Sequence, residues 1–273
     1  MSHIFPRPAT LHIPDGFLNP TISVIFWVIT IALLAVAVRR TQGAFSERQI
    51  PLMGVMAAFI FAAQMINFPV AGGTSGHLLG GALAAITLGP WGGMLVMTAV
   101  VGIQGLVFQD GGLLVMGANI FNMGLLTAMI GYGLYRAGLG WSQGARLGVA
   151  AVGTWLSVMG GALMTVFQLW LSGTSALRVA LPAMMGVHAL IGIGEALITV
   201  AALAFIMRTR PDVLESGEEA QGGRGTKLIA HSQNHGDSDT AHKTDPITTP
   251  KLPCTSTPLT TFNANDLDRM PRA

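Results

Sequence analysis

The sequence predicts an all-α integral membrane protein, a bundle of about seven transmembrane helices followed by a polar tail. Three observations support this class. Hydrophobic residues make up 51% of the 273 residues. Charged residues make up only 10%, where soluble domains have about 25%. Residues 1–211 also contain only four of the thirteen acidic side chains, so this stretch is expected to face lipid rather than water.

Seven apolar runs define the expected helices, and a helix needs about 20 apolar residues to cross a bilayer. They are 21–38, 50–68, 78–88, 91–108, 113–135, 147–171 and 181–207. The third run is short and ends at Gly89-Pro90-Trp91-Gly92-Gly93, through which a helix cannot easily continue. We therefore expect a short or tilted helix that turns directly into the next one. The alternative is one kinked span over 78–108, which leaves six spans.

Arginines in the connections predict the orientation, because short cytoplasmic loops carry the excess of positive charge. One side has Arg39, Arg40, Arg48, Arg136, Arg146, Arg208 and Arg210, and the other has Arg7 and Arg178. We expect a multi-pass protein of the inner (plasma) membrane, with its N-terminus outside and its tail in the cytoplasm.

Composition divides the chain after residue 211, into an apolar part that is expected to span the membrane and a tail over 212–273 that is predicted to be disordered. The single cysteine, Cys254, excludes a disulfide framework and a cysteine-based zinc site. No basic stripe with interleaved aromatics indicates nucleic-acid binding. No GxxxxGK[ST] loop is present, so an ATPase activity of its own is not expected.

Two histidines lie on the predicted outer side. His12 begins a stiff turn, His12-Ile13-Pro14-Asp15-Gly16, just before the first span. His77 ends an uncharged glycine-rich loop over 67–77. The two side chains could meet above the bundle and bind a metal, or they could be ordinary loop histidines.

Seven motif blocks follow one another along the chain. They are Leu11-His-Ile-Pro-Asp-Gly-Phe-Leu18, Asn67-Phe-Pro-Val70, Gly73-Thr-Ser-Gly-His-Leu-Leu-Gly-Gly81, Leu88-Gly-Pro-Trp-Gly92, Val107-Phe-Gln-Asp-Gly-Gly112, Gly117-Ala-Asn-Ile-Phe-Asn-Met-Gly124 and His188-Ala-Leu-Ile-Gly-Ile-Gly-Glu-Ala196. Together these blocks resemble the CbiM/NikM family, the substrate-binding (S) components of energy-coupling factor (ECF) transporters for cobalt and nickel. The resemblance covers about residues 11–207, which implies an N-terminal extension over 1–10 and a transmembrane domain over 11–211.

The resemblance implies a planar site of four nitrogens. Residue 11 gives a free α-amine, His12 gives its backbone nitrogen and a ring nitrogen, and His77 gives the fourth. Such a site suits Co(II) or Ni(II) as transported substrate, and no organic cofactor is expected. Asp15, Asn67 and Ser75 are expected to order the loops around it.

The chain departs from the family pattern at the amine. The family motif normally begins at the initiator methionine, whereas here it begins at Leu11. A leucine codon could be the true start, a protease could expose residue 11, or the extension could remain while another group replaces the amine.

Polar residues within the spans have two interpretations each. Glu195 and His188 lie on one helical face and could form a metal pathway or a gate. Alternatively, Glu195 forms a structural hydrogen bond, to Asn119, Asn122, Gln104 or Gln168. The small pair Ala58 and Ala62 permits close helix approach, either to a partner protein or within the bundle.

The resemblance implies a subunit without its own enzymatic activity. Its expected partners are a transmembrane T component (CbiQ-like), a cytoplasmic ATPase pair (CbiO-like) and a small accessory membrane protein (CbiN-like). It would capture Co(II), or Ni(II), outside the cell for ATP-driven import, with cobalt favoured as a supply for cobalamin biosynthesis. The alternatives are a nickel-specific S component and a stand-alone divalent metal channel or secondary carrier.

Overall fold

The computed structural model describes residues 12–42, 49–65, 68–70 and 74–214, with the backbone alone over 68–70 and 74–76. The extension over 1–10, Leu11, Asn67 and the tail from residue 215 lie outside the described residues, as does the Ser75 side chain. The fold class is confirmed, since the described chain is a helical bundle with one two-stranded hairpin.

The helices follow the apolar runs closely. They are α1 (Pro20–Thr41), α2 (Gln49–Gln64), α3 (Gly81–Val107), α4 (Met116–Ile120), a π-helical turn (Phe121–Leu126), α5 (Thr127–Ala137), α6 (Gln143–Leu171) and α7 (Leu177–Thr209). Four of them, α1, α3, α6 and α7, are long and apolar enough to cross a membrane. The π turn continues α4 into α5, so the expected run 113–135 becomes one composite helix.

Local sequence explains where α1 begins and ends. Asn19 caps it, because its side chain accepts a hydrogen bond from the Thr21 amide at 2.9 Å, and Pro20 occupies the first turn, where no amide donor is needed. Arg39 and Arg40 lie in the last turn, where positive charge interacts favourably with the helix dipole.

Helix α3 reverses direction at Gly89, whose φ of 79° and ψ of 160° are not helical. A Cβ at Gly93 would lie 2.6 Å from the Cα of Ala85, although eight residues of straight helix span about 12 Å. The arm over 81–88 therefore packs directly against the arm that follows it. This agrees with the expected short helix that turns into the next one, and not with a single kinked span.

Segment 67–77 was expected as a glycine-rich loop, and part of it forms a short antiparallel hairpin. β1 (Phe68–Val70) pairs with β2 (Thr74–Gly76). His77 follows β2 directly, and residues 77–80 lead into α3.

The bundle has two chemically different ends. We call one the pocket end, formed by residues 12–18, 77–80, 108–115 and 172–176. The hydroxyl of Thr174 donates a hydrogen bond there to the Phe17 carbonyl, which brings the connection between α6 and α7 to the first turn of the chain.

The opposite end, which we call the basic end, lies where α1, α5 and α7 finish and α6 begins. It carries Arg39, Arg40, Arg136, Arg146, Arg208 and Arg210. An apolar cluster closes it, formed by Ile86, Tyr135, Ala150, Leu203 and Leu214. Packing thus continues to Leu214, three residues past the expected domain boundary.

Candidate metal centre

The first described residues form a strap across the pocket end. Asn119 binds this strap with both amide atoms: its Oδ1 accepts from the Ile13 amide and its Nδ2 donates to the Ile13 carbonyl, each at 3.1 Å. The Gly112 amide donates to the same carbonyl at 3.0 Å. Buried backbone groups need such partners, and these three bonds determine where the neighbouring His12 lies.

Asp15 binds the strap to the loop before α4. Its two carboxylate oxygens accept from the amides of Leu113 and Leu114, at 3.1 and 2.9 Å. A Cβ at Gly112 would lie 2.0 Å from the Asp15 Oδ1. The glycine at this position is therefore required by close approach, and the motif residues Asp15 and Gly112 form one interlocked unit.

The structure brings His12 and His77 together. Their ring centroids are 5.4 Å apart with an interplanar angle of 49°, and each residue is 5% exposed. The Nδ1 of His77 lies 2.8 Å from the Leu78 carbonyl. Because a carbonyl only accepts, Nδ1 carries the proton, and Nε2 is the nitrogen with a lone pair for a metal.

The ring nitrogens of His12 are buried without hydrogen-bond partners among the described residues. The Asp110 Oδ2 lies 3.3 Å from the His12 Nδ1, but not in hydrogen-bonding alignment. A buried polar atom with no partner is costly. A metal ion at this position would use the lone pair and remove the cost.

Glu195 holds the segment that follows His77. Its carboxylate accepts hydrogen bonds from the amides of Leu79 and Gly80, both at 2.8 Å. The side chain of Gln64 donates to the Leu79 carbonyl at 2.7 Å, and Gln104 donates to Gln64 at 2.9 Å. Helices α2, α3 and α7 therefore all converge on the residues after His77.

The expected partners of Glu195 were wrong, because it bonds to backbone amides rather than to a side-chain amide. Asn119 holds the strap instead. Asn122 pairs with Gln168 through two bonds of 2.7 and 2.9 Å. His188 shares the buried face of α7 with Glu195, but its Nδ1 bonds within its own helix, to the Met184 carbonyl at 2.9 Å. Glu195, His188, Asn119 and Asn122 therefore bond to different partners and do not form one cluster.

Sequence reasoning missed two residues of the pocket end, Asp110 and Gln64. Asp110 had a signal in the sequence, because it lies in a Gln-Asp-Gly-Gly turn. In the structure its neighbours Gln109 and Gly111 have positive φ values of 54° and 96°. Gln64 is one of many polar residues at a helix end, and the sequence contains no sign that it contacts residue 79.

Side chains alone do not complete a metal site here. Within the part of the chain that the structure describes, no group of three or more His, Cys, Asp or Glu residues could hold an ion. A site on His12 and His77 therefore requires backbone nitrogens or residues outside that part.

Ala58 and Ala62 lie on an exposed face of α2. Gly54, one turn earlier, has no heavy atom within 4 Å of its potential Cβ. Small residues with a spacing of four let a second helix approach closely. This face is not used by packing within the described chain.

The long apolar helices of the described chain define a class of protein, the multi-pass membrane proteins. The chain belongs to the CbiM family: the sequence profile described as cobalt uptake substrate-specific transmembrane region matches residues 12–213. The expected family membership is thus confirmed, and the protein is a membrane component of cobalt or nickel transport.

Individual relatives agree with this assignment. A candidate metal transport protein of Haloquadratum walsbyi is 41% identical over 75% of this chain and 93% of its own length. The cobalt transport protein CbiM of Sorangium cellulosum is 33% identical over 75% and 95%. A crystal structure of a truncated transition metal transporter is 34% identical and superposes with a TM-score of 0.67, over 72% of this chain and 98% of the other.

Proposed function

We propose that this chain is the S component of an ECF-type transporter, which captures Co(II) or Ni(II) outside the cell for ATP-driven import. The observation that carries the proposal is the buried pair His12 and His77, with rings 5.4 Å apart and with both His12 nitrogens lacking hydrogen-bond partners among the described residues. The two imidazole rings supply two of the four nitrogen ligands that the proposed site needs.

The remaining ligands come from the backbone. His12 supplies its backbone nitrogen and the near ring nitrogen Nδ1, which close a six-membered chelate ring. The α-amine of Leu11 supplies the fourth donor when residue 11 is the true N-terminus. Four nitrogens in a plane favour Ni(II) and low-spin Co(II) over Mg(II) or Ca(II), which prefer oxygen. Asp15 supports this site through the loop before α4, and we assign Asn67 and Ser75 the role of ordering the segment that precedes His77.

Cobalt is the substrate that we favour, with cobalamin biosynthesis as the process supplied. The family profile is named for cobalt uptake, whereas a relative of Archaeoglobus fulgidus, 41% identical, has a name that refers to nickel. The four nitrogens themselves can bind either ion, so a competition binding experiment is needed to measure the preference of the site for Co(II) or Ni(II).

The arginine distribution supports an orientation with the pocket end outside. Among the described residues, six arginines lie at the basic end, and Arg178 lies in the first turn of α7 at the pocket end. Under the positive-inside rule the basic end faces the cytoplasm, in the plasma membrane, and the metal pocket opens to the exterior.

Energy for import comes from partners, since the sequence has no phosphate-binding loop. We assign these roles to a CbiQ-like T component and a CbiO-like ATPase pair, with the exposed Ala58 and Ala62 face of α2 as the docking surface. A CbiN-like accessory protein is supported by the fused NikMN relative, of which this chain covers 68%. Co-purification with an ATPase pair distinguishes this assembly from a stand-alone channel or secondary carrier.

Removal of a histidine ligand tests the site. With protein expressed from its own gene, so that its N-terminus is natural, His77→Ala is expected to weaken Co(II) and Ni(II) binding by at least about hundredfold in equilibrium dialysis. His188→Ala is the matched control, because His188 is also a buried histidine but bonds within its own helix. Equal affinities for the two variants would overturn the assignment.

The same samples test the N-terminus and the ligand chemistry. Mass spectrometry shows whether the metal-binding chain begins at residue 11. Affinity is expected to fall as the pH is lowered, because the nitrogen ligands must lose protons before they bind a metal.

A further inference from the structure

Asp110 is placed against His12 by an unusual stretch of backbone. The residue before it, Gln109, has a φ of 54°, and Gly111 after it has a φ of 96°. Positive φ is uncommon for a residue with a side chain and costs of the order of 1 kcal/mol or more. The turn directs the Asp110 Oδ2 to 3.3 Å from the His12 Nδ1.

The ring of His12 closes over this turn. A Cβ at Gly111 would lie 2.6 Å from the Cβ of His12, so the His12 side chain packs directly against the backbone of the turn. The His12 side chain is fully buried and that of Asp110 is 13% exposed. A carboxylate is thus kept in a largely water-excluded position beside a candidate metal ligand.

The net charge of a bound metal complex gives a carboxylate at this position a function. A divalent ion bound by one amine, two neutral imidazoles and one deprotonated amide keeps a net charge of +1. An uncompensated charge in a buried site costs several kcal/mol. A bound complex in this pocket therefore needs one negative group nearby.

Geometry distinguishes Asp110 from the other two carboxylates of the pocket region. Asp15 accepts from the amides of Leu113 and Leu114, and Glu195 accepts from those of Leu79 and Gly80. The Asp110 carboxylate instead lies in contact with the ring of a candidate ligand, His12.

We propose that Asp110 is the counter-charge of the metal site, a positioning residue that neutralises the M(II) complex without itself binding the ion. The inference rests on the proposed function of His12 and His77. It makes Asp110 a determinant of charge specificity, because the single negative charge balances a divalent complex.

The experiment compares Asp110→Asn, Asp110→Ala and Asp110→Glu with the wild type, each full chain expressed from its own gene and titrated with Ni(II) and Co(II). Asparagine keeps the shape and removes the charge. We expect both neutral variants to bind about 10- to 100-fold more weakly. The glutamate variant is expected to recover most of the affinity. The Ni(II) absorption bands of Asp110→Asn at saturation are expected to be unchanged, since the nitrogens remain.

Several results would overturn the inference. Affinity of Asp110→Asn within about twofold of wild type would show that charge does not matter, as would an Asp110→Glu variant as weak as Asp110→Asn. A changed Ni(II) spectrum would make Asp110 a ligand instead. Failure of the wild type to bind, or undiminished binding by His77→Ala, would overturn the proposed function itself, so the two failures are distinguishable.

Discussion

The pocket end and the basic end of this bundle are stabilised by different interactions. At the pocket end the backbone is irregular, and side chains satisfy it: Asn119, Asp15, Glu195 and Gln64 all bond to main-chain atoms. At the basic end the helices meet through apolar side chains such as Leu203, which is fully buried.

This difference separates the residues that position the metal-binding histidines from those that only stabilise the fold. Irregular backbone at membrane depth is tolerated only where protein groups satisfy it, and each polar bond there also positions His12 or His77. The basic end stabilises the same bundle without contacting either histidine. Substitutions at the two ends should therefore have different consequences for metal affinity.

Among the residues that stabilise the two ends of the bundle rather than bind the metal, the largest effect is expected at Glu195. Replacement by leucine leaves the buried amides of Leu79 and Gly80 without acceptors, at a cost of about 1–3 kcal/mol each. It also releases the segment that holds His77. We expect a lower unfolding temperature in detergent and a loss of Ni(II) affinity of about 10- to 100-fold.

Glu195→Gln is the matched variant. It keeps one acceptor oxygen but places its amide NH2 against the second backbone N–H, so it should recover only part of the stability that the leucine variant loses. A leucine variant with wild-type stability and affinity would show that the two hydrogen bonds have no role.

A smaller effect is expected from Gly112→Ala, because the added methyl would overlap the Asp15 carboxylate. The strap must move, and we expect about a tenfold loss of metal affinity, as for other groups that orient ligands. Gly133→Ala in α5 serves as the control: no atom lies within 4 Å of its potential Cβ, and alanine favours a helix by up to about 1 kcal/mol over glycine. Equal metal affinities in the two variants would contradict the close packing of the strap.

The smallest effect on metal affinity is expected from Leu203→Ala at the basic end. Truncation of a fully buried leucine should destabilise the protein by about 2–5 kcal/mol. Metal affinity of the remaining folded protein should stay within about twofold of wild type. A large loss of affinity would show instead that the two ends are coupled.

Periodicity, charge and motif blocks predicted much of this molecule. The apolar runs predicted the helices because a lipid-facing helix must be apolar over its whole length. Gly89 and Pro90 predicted the reversal within α3, since that sequence cannot remain helical. The hairpin at Phe68–Val70 and Thr74–Gly76 was missed, because its glycine-rich residues also fit a loop.

The candidate site was predictable only in part. His12 and His77 were found through the resemblance, and the structure places them side by side. Asp110 and Gln64 were missed, and the partner of Glu195 was wrong. Backbone amides are present at every position, so a sequence does not indicate which of them a distant carboxylate will bind.

The sequence by itself determined that this chain enters a membrane, where its helices lie and which family it belongs to, because hydrophobicity and motif blocks are properties of the chain read in order. Only the tertiary structure decided which groups surround the two histidines. Glu195 is 116 residues from Leu79 along the chain and Asp110 is almost as far from His12. Such contacts arise from helix packing and the reversal of α3, which bring distant residues together only once the bundle is formed.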